Sequence, residues 1–115
     1  MSLTPANLIT GTLIASPVGS VGGPTVATHW WVKRAVIANT DTAVHTVTIY
    51  RIPSGGSVTA ANILLPAYPL SASGNPGASY VVAKLTDLVL NPGDTIQAVA
   101  DTTAKVSIEA SGFTF

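Results

Sequence analysis

The stretch LNPGDTIQAVAD, residues 90 to 101, sets a carboxylate, Asp94, directly after a Pro-Gly pair and ahead of an alternating run. A carboxylate in that place could do general acid-base work, which needs a second carboxylate or a base within hydrogen-bond reach. The nearest acids along the chain are Asp87 and Asp101, each seven residues away. A second reading accounts for every residue. Pro92 and Gly93 suit positions i+1 and i+2 of a type II turn, where proline presets φ and glycine accepts a positive one. Asp94 then follows the turn and accepts backbone N–H groups close by. The turn reading is preferred, and no catalytic residue is assigned.

The other reactive types are sparse. Histidine occurs only as His29 and His45, without an HxH or HExxH spacing or an acid-rich loop of calcium-binding form. Satisfied or exposed histidines are therefore expected rather than ligands, and no metal or cofactor is assigned. Serines are plentiful, but no GxSxG elbow is present to activate one. The segment GSVGGP, Gly19 to Pro24, lacks the Lys-Ser/Thr end and the following helix of a phosphate cradle, so it reads as a flexible loop. Cysteine is absent, which removes disulfide and thiolate chemistry.

The aromatic residues are better placed for contact than for catalysis. Trp30 and Trp31 are neighbours, so in a strand they point to opposite faces and at most one can enter a core. The other needs cover from a loop, a partner or a flat ligand such as a sugar ring. The sugar platform is the weaker choice, because Asp, Asn and Arg are not gathered beside the tryptophans in the sequence. In the terminal SGFTF, Phe113 and Phe115 fall on one side of an extended segment, and terminal aromatics are idle unless they dock. The expected contact residues are Leu3, Leu8, Ile9, one or other of Trp30 and Trp31, Tyr50, Tyr68, Phe113 and Phe115. Deleting residues 112–115 is expected to leave the domain folded and to weaken only its contacts.

The elements that must carry these residues are strands. Proline or glycine punctuates the chain at short intervals, and no window holds an i, i+3, i+4, i+7 apolar stripe. Residues 95–100 and 106–111 alternate with period two around a polar turn at 101–104 and read as an antiparallel hairpin. Residues 30–38 and 44–52, joined by NTDTA, read as a second hairpin. Further strands are expected near 8–15, 63–65, 80–85 and 88–90. Val36 and Ala38 alternate with Ala35 and Ile37, so both faces of that strand are apolar; either a bulge switches its phase or a neighbouring chain covers its second face. About six to eight short strands predict an all-β fold: a single antiparallel β-sandwich, jelly-roll-like. The chain is read as one domain over 1–115, with 1–25 an N-terminal arm and 112–115 a docking tail.

Composition narrows the function. Hydrophobic residues make up 47% and charged residues 9%, with five basic and five acidic side chains balancing to zero. Ordinary soluble proteins carry roughly 25% charged residues, and near-neutral surfaces associate. A chain of this kind suits packing against other proteins and against copies of itself. It offers no clustered Lys and Arg for nucleic acid. No run of about 18 apolar residues exists to span a membrane, and the first residues lack the basic region of a signal peptide.

The segments WVKRAVIANTDTAVHTVTIYRIPSGGS and AANILLPAYPLSASGNPGASYVVAKLTDLVLNPGDTIQAVADTTAKVSIEASGFTF resemble small virion-associated proteins of tailed bacteriophages. There a strand ending IAN, a turn, VTIY and a Pro/Gly loop precede a late L.PGD.I.A.A corner and a V.I..SG strand. The likeness covers about residues 28 to 112, and its motifs are structural. It implies a β-sandwich repeated on the particle as a capsid decoration, neck or tail-associated part, with no enzymatic residues to carry over. The leading expectation is a non-enzymatic capsid decoration protein, made in the host cytoplasm and located in the virion. Its partners would be the major capsid or another virion structural protein and copies of itself. A fibre-tip module that binds a receptor or glycan is the alternative, and a small hydrolase built on His29 or His45 is the remote third.

Overall fold

A computed structural model describes residues 2–25 and 27–115. Nine strands account for most of it: β1 (Thr4–Leu13), β2 (Gly19–Gly22), β3 (Trp30–Asn39), β4 (His45–Ile52), β5 (Ile63–Leu70), β6 (Ser79–Val81), β7 (Leu88–Leu90), β8 (Thr95–Ala100) and β9 (Val106–Thr114). Two single 3₁₀ turns, Ala60–Asn62 and Ala83–Leu85, are the only helical pieces among the described residues. The strands form two antiparallel sheets, ordered β1-β9-β3-β6 with β7 also on β3, and β2-β8-β4-β5. The short dimension of the molecule is 20 Å, as expected of two layers packed about 10 Å apart with side chains on their outer faces.

Alternation builds the layers. In β3 the buried side chains are Trp30, Val32, Ala35, Ile37 and Asn39; in β4 they are His45, Val47, Ile49 and Ile52. Strands β8 and β9 contribute Ile96, Ala98 and Ala100, then Val106, Ile108 and Ala110. In the four-stranded sheet large inner residues lie beside small ones, Ile49 by Ala98 and Val47 by Ala100, whereas in the other sheet like lies beside like, Ala35 by Ala110 and Ile37 by Ile108; the buried side chains of both sheets form one cluster. Full burial of each Ile, Leu or Val side chain contributes about 1.5–3 kcal/mol. The apolar run of β3 skips a position because its register against β9 shifts between Val32 and Arg34. The bulge lies upstream of residues 35–38, which alternate without interruption against β9, so Val36 and Ala38 remain apolar, half-buried residues on the outer face.

The strand order is that of a jelly roll, a long hairpin rolled so that its arms pair β1 with β9, β2 with β8, β3 with β6 and β7, and β4 with β5. Both predicted hairpins are therefore incorrect. Strands β3 and β4 lie in different sheets, as do β8 and β9, and the connections 40–44 and 101–105 cross from one layer to the other. Period two says which side of a strand is buried, and in a sandwich that side is the same whichever sheet the strand joins. At the first crossing Asn39 satisfies the backbone as it leaves the sheet. Its amide donates to the carbonyls of Ala43 (2.7 Å) and Ser71 (3.1 Å), and its Oδ1 accepts from the Asp41 N–H (2.9 Å).

The chain ends also differ from expectation. The segment expected as an arm, 1–25, supplies β1 and β2, one strand to each sheet, and the Gly-rich piece expected as a loop is itself β2 over Gly19–Gly22. Residues 112–114 continue β9 and pair with β1 on one side and β3 on the other. The backbone of Phe115 exchanges two hydrogen bonds with that of His29, and their rings stack 4.8 Å apart. Residues 112–115 are thus load-carrying sheet and not a dispensable tail, so their deletion strips paired backbone from both neighbours. For the last residue alone, Phe115→Ala is expected to lower unfolding free energy by about 1 kcal/mol through loss of the stacked pair. Urea denaturation measures it; a change indistinguishable from zero would mean the ring adds nothing.

Candidate functional site

Three polar constellations and one bare face are the features with functional potential. The first is the corner at Asn91–Asp94. The Asp94 N–H donates to the Asn91 carbonyl at 3.0 Å and Gly93 has φ +86°, which makes this the type II turn expected from Pro-Gly. Asp94, 4% exposed, spends one oxygen on the Ser54 N–H and the other on the Asn91 N–H, each at 3.0 Å. Arg51 approaches the second oxygen at 3.4 Å and the Val89 carbonyl of the opposite sheet at 3.3 Å. Both oxygens accept backbone N–H groups, and no second acid or base stands within hydrogen-bond reach to share a proton with this carboxylate among the described residues. Neither Asp87 nor Asp101 reaches it; each is paired elsewhere.

The second lies at the end of the sandwich where both five-residue crossings meet. His45, at the start of β4, faces Asp41 through Nε2 at 2.7 Å and Asp101 through Nδ1 at 2.8 Å. Two carboxylates on one ring favour the imidazolium, which donates from both nitrogens. The Asp41 hydrogen bond is the chief cause that raises the His45 pKa above the ordinary imidazole value, with Asp101 adding to it against the cost of burial. Reciprocally, the His45 hydrogen bond, then the Thr42 N–H, lowers the Asp41 carboxyl below its usual range. The sequence reading treated His45 as one more satisfied or exposed histidine and missed this cluster. The i, i+4 spacing of Asp41 and His45 was a visible signal; Asp101, 56 positions further on, was not. Because both ring nitrogens are taken, none is left to activate a hydroxyl, and among the described residues no group of His, Asp and Glu is disposed to hold a metal.

The third is on the outer face of the five-stranded sheet. Trp30 points inward and is 8% exposed, while Trp31 points outward and is partly covered by Phe113, with ring centres 5.8 Å apart. The Lys33 ammonium lies 4.5 Å from the centre of the Trp31 ring and pairs with Asp87. Its hydrogen bond and charge, aided by Trp31, hold the Asp87 carboxyl below the usual range. A shallow groove runs alongside, lined by Pro5, Asn7, Lys33, Ser111 and Phe113. Polar groups are therefore gathered beside Trp31 after all, brought by the β3 bulge and by the turn before β7, 54 residues from Lys33. Of the remaining expected contact residues, Ile9 is buried at 3%, which takes it and Trp30 out of any outer surface. Leu8 is half-buried against the core, and Tyr68 packs there too, stacked on Tyr80 at 4.1 Å. Leu3 is exposed, and Tyr50 faces outward from β4.

The bare face is the outside of the four-stranded sheet. On β2, β4 and β8 its outward positions are Ser20, Thr46, Thr48, Tyr50, Thr95, Gln97 and Val99, none of them charged, and the edge strand β5, with Pro66, Ala67 and Pro69 exposed, carries no charged residue either. Charged side chains lie elsewhere. Lys33, Arg34 and Glu109 are on the other sheet, Asp41, Lys84, Asp87, Asp101 and Lys105 are in connections, and Arg51 and Asp94 close one end of the core. Scans against protein-family models, curated proteins and solved structures returned no match to the chain.

Proposed function

We propose that this chain is a non-enzymatic structural subunit of a bacteriophage virion, a capsid decoration protein that binds the major capsid protein and copies of itself. The observation that carries the reading is the uncharged face of the four-stranded sheet. A chain with only ten charged residues keeps all of them off one whole side. Covering a Thr, Gln and Val surface requires no ion to be stripped of water, and shape then decides the fit. Many copies on one particle convert weak single contacts into durable attachment. The likeness of residues 28–112 to virion-associated proteins and the jelly-roll topology point the same way. No clustered positive charge invites nucleic acid, and among the described residues no helix is long and apolar enough to cross a membrane.

Val99 sits near the middle of that face and Thr46 on the strand beside it. Val99→Lys and Thr46→Lys are each expected to leave stability within about 0.5 kcal/mol while reducing occupancy on particles by about tenfold or more, the effect of burying an unpaired charge. Quantifying bound copies by gel densitometry of purified particles reads the result. Full occupancy by both variants would overturn the proposal.

A neck, tail or fibre-tip module that binds a receptor or glycan is the second reading. What favours it is the Trp31, Lys33, Asp87 and Phe113 grouping beside a groove holding Asn7 and Ser111, since sugars stack on aromatics flanked by polar groups. In the same assay Trp31→Ala separates the two: attachment unaffected supports decoration through the bare face, whereas attachment lost together with glycan-array binding supports the receptor module.

A further inference from the structure

The Asp41, His45, Asp101 cluster joins the two crossings that close one end of the sandwich, and its geometry depends on where the protons are. Asp41 comes from the connection between β3 and β4, Asp101 from the connection between β8 and β9, and His45 stands between them. Backbone bonds already tie these segments: the Thr40 N–H and hydroxyl both reach the Lys105 carbonyl, and the Asp101 N–H reaches the Thr46 carbonyl. The 70–78 segment is attached as well, through the Ser73 N–H on the Asp41 carbonyl. The 14–17 segment is attached through bonds among Ile14, Ser16, Thr103 and Ala104. Neither segment brings an ionisable side chain. The charged groups that face the imidazole are therefore Asp41 and Asp101, with Lys105 acting at longer range on Asp41.

We propose that His45 is a proton-operated clamp, holding both crossings while its ring carries two protons and releasing one of them when it carries a single proton. A neutral imidazole has one N–H and one lone pair. Whichever tautomer forms, one carboxylate then faces a lone pair at under 3 Å, and the cluster goes from one net negative charge to two. The side chains differ in what they lose. Asp101 is 44% exposed and can turn to water, whereas Asp41, 27% exposed, is held by Thr42. The neutral ring keeps its proton toward Asp41, and Asp101 lets go. The segment that loosens is then 101–105, which carries the β8–β9 crossing and abuts residues 14–17.

The direction of the pH response follows from the geometry and from the shifts. His45 has a raised value, so its contribution is complete below the ordinary imidazole pKa of about 6.5 and is lost as pH rises through the higher folded value. Asp41 has a lowered value, so its contribution is present above the ordinary carboxylate range and is lost as pH falls through the lower folded value. The clamp is closed between those limits and opens on the alkaline side by release at Asp101. This holds for the chain whatever particle or partner it serves.

Amide exchange followed by NMR on the full chain at pH 6 and pH 9, corrected for intrinsic rates, tests it, with the His45 and His29 ring nitrogens titrated in the same samples. The expected result is a His45 midpoint above 6.5 and a loss of protection over residues 101–105 of about fivefold or more at pH 9. Asp101→Asn is the deciding variant. Its amide donates to the unprotonated Nδ1, so the contact no longer needs a second ring proton. The alkaline loss is expected to disappear and the midpoint to fall from its native value, with Asp41 still favouring the protonated ring and the fold intact. A native His45 midpoint at or below 6.5, or the same alkaline loss in Asp101→Asn, would overturn the clamp.

Discussion

Gly112→Ala is expected to abolish the native state or to leave it only marginally populated, at a cost of about 4 kcal/mol or more. Gly112 lies in β9, flanked by Ala6 of β1 and Val32 of β3. A Cβ at this position would run into the Trp31 carbonyl oxygen, well inside van der Waals contact, and would sit 2.9 Å from the Lys33 nitrogen. Both obstacles are backbone, so no rotamer change relieves them. Strand β9 cannot move aside either, because it is paired along both edges. The β3 bulge between Val32 and Arg34 folds that strand over β9 at this residue, and only a residue without a side chain leaves it room. A penalty of this size consumes much of the roughly 5–15 kcal/mol that holds a domain together. Urea denaturation followed by far-UV circular dichroism measures it, with exposed Ser111→Ala, expected within about 0.5 kcal/mol, as the control. A Gly112→Ala midpoint equal to that of the control would show that the bulge relaxes without cost.

That glycine marks the boundary of what the sequence discloses. Alternation in TIQAVA and VSIEA identified the inner residues of β8 and β9, and the Pro92-Gly93 pair identified the turn, because each is a local relation over two to four residues. Nothing local distinguishes five residues that reverse a chain within a sheet from five that carry it across to the other layer. Hence NTDTA and the 101–104 segment read as hairpin turns. The same limit governs the sites. Asp41 and His45 stand four apart, yet the ring is an imidazolium clamp only because Asp101 arrives from the far end of the rolled hairpin. Trp31 lacked polar company in the sequence because Asp87 reaches it from the turn before β7. The aromatic tail seemed free to dock elsewhere since β9 had been assigned β8 as its partner, which left the true partners, β1 and β3, out of consideration. Low charge was legible from composition alone; its exclusion from one face of the four-stranded sheet required the fold.

Asp94→Ala is expected to lower stability by about 3 kcal/mol, which for a domain of this size moves the thermal midpoint down by about 12 °C. The side chain is 6% exposed and serves three donors, the N–H groups of Ser54 and Asn91 and the Arg51 guanidinium. Alanine fills none of these roles. Two part-buried N–H groups lose their acceptor, and water reaches the site only if the 53–56 loop lifts from the corner. Arg51 suffers further, since its Nε is already buried without a hydrogen-bond partner and its nearest counter-charge would be gone. Asparagine keeps the shape and one acceptor oxygen but turns an NH2 toward a donor that needs an acceptor, so Asp94→Asn is expected to lose about half as much. Differential scanning calorimetry gives all three midpoints. An alanine variant as stable as the native chain would mean the corner is held by Pro92 and Gly93 alone. It would also reopen the question of why an acid with so little access to solvent stands there. The graded loss, Ala greater than Asn, assigns the carboxylate to joining the 53–56 loop, the β7–β8 turn and Arg51 into one unit, a role that requires its charge and both oxygens but no substrate.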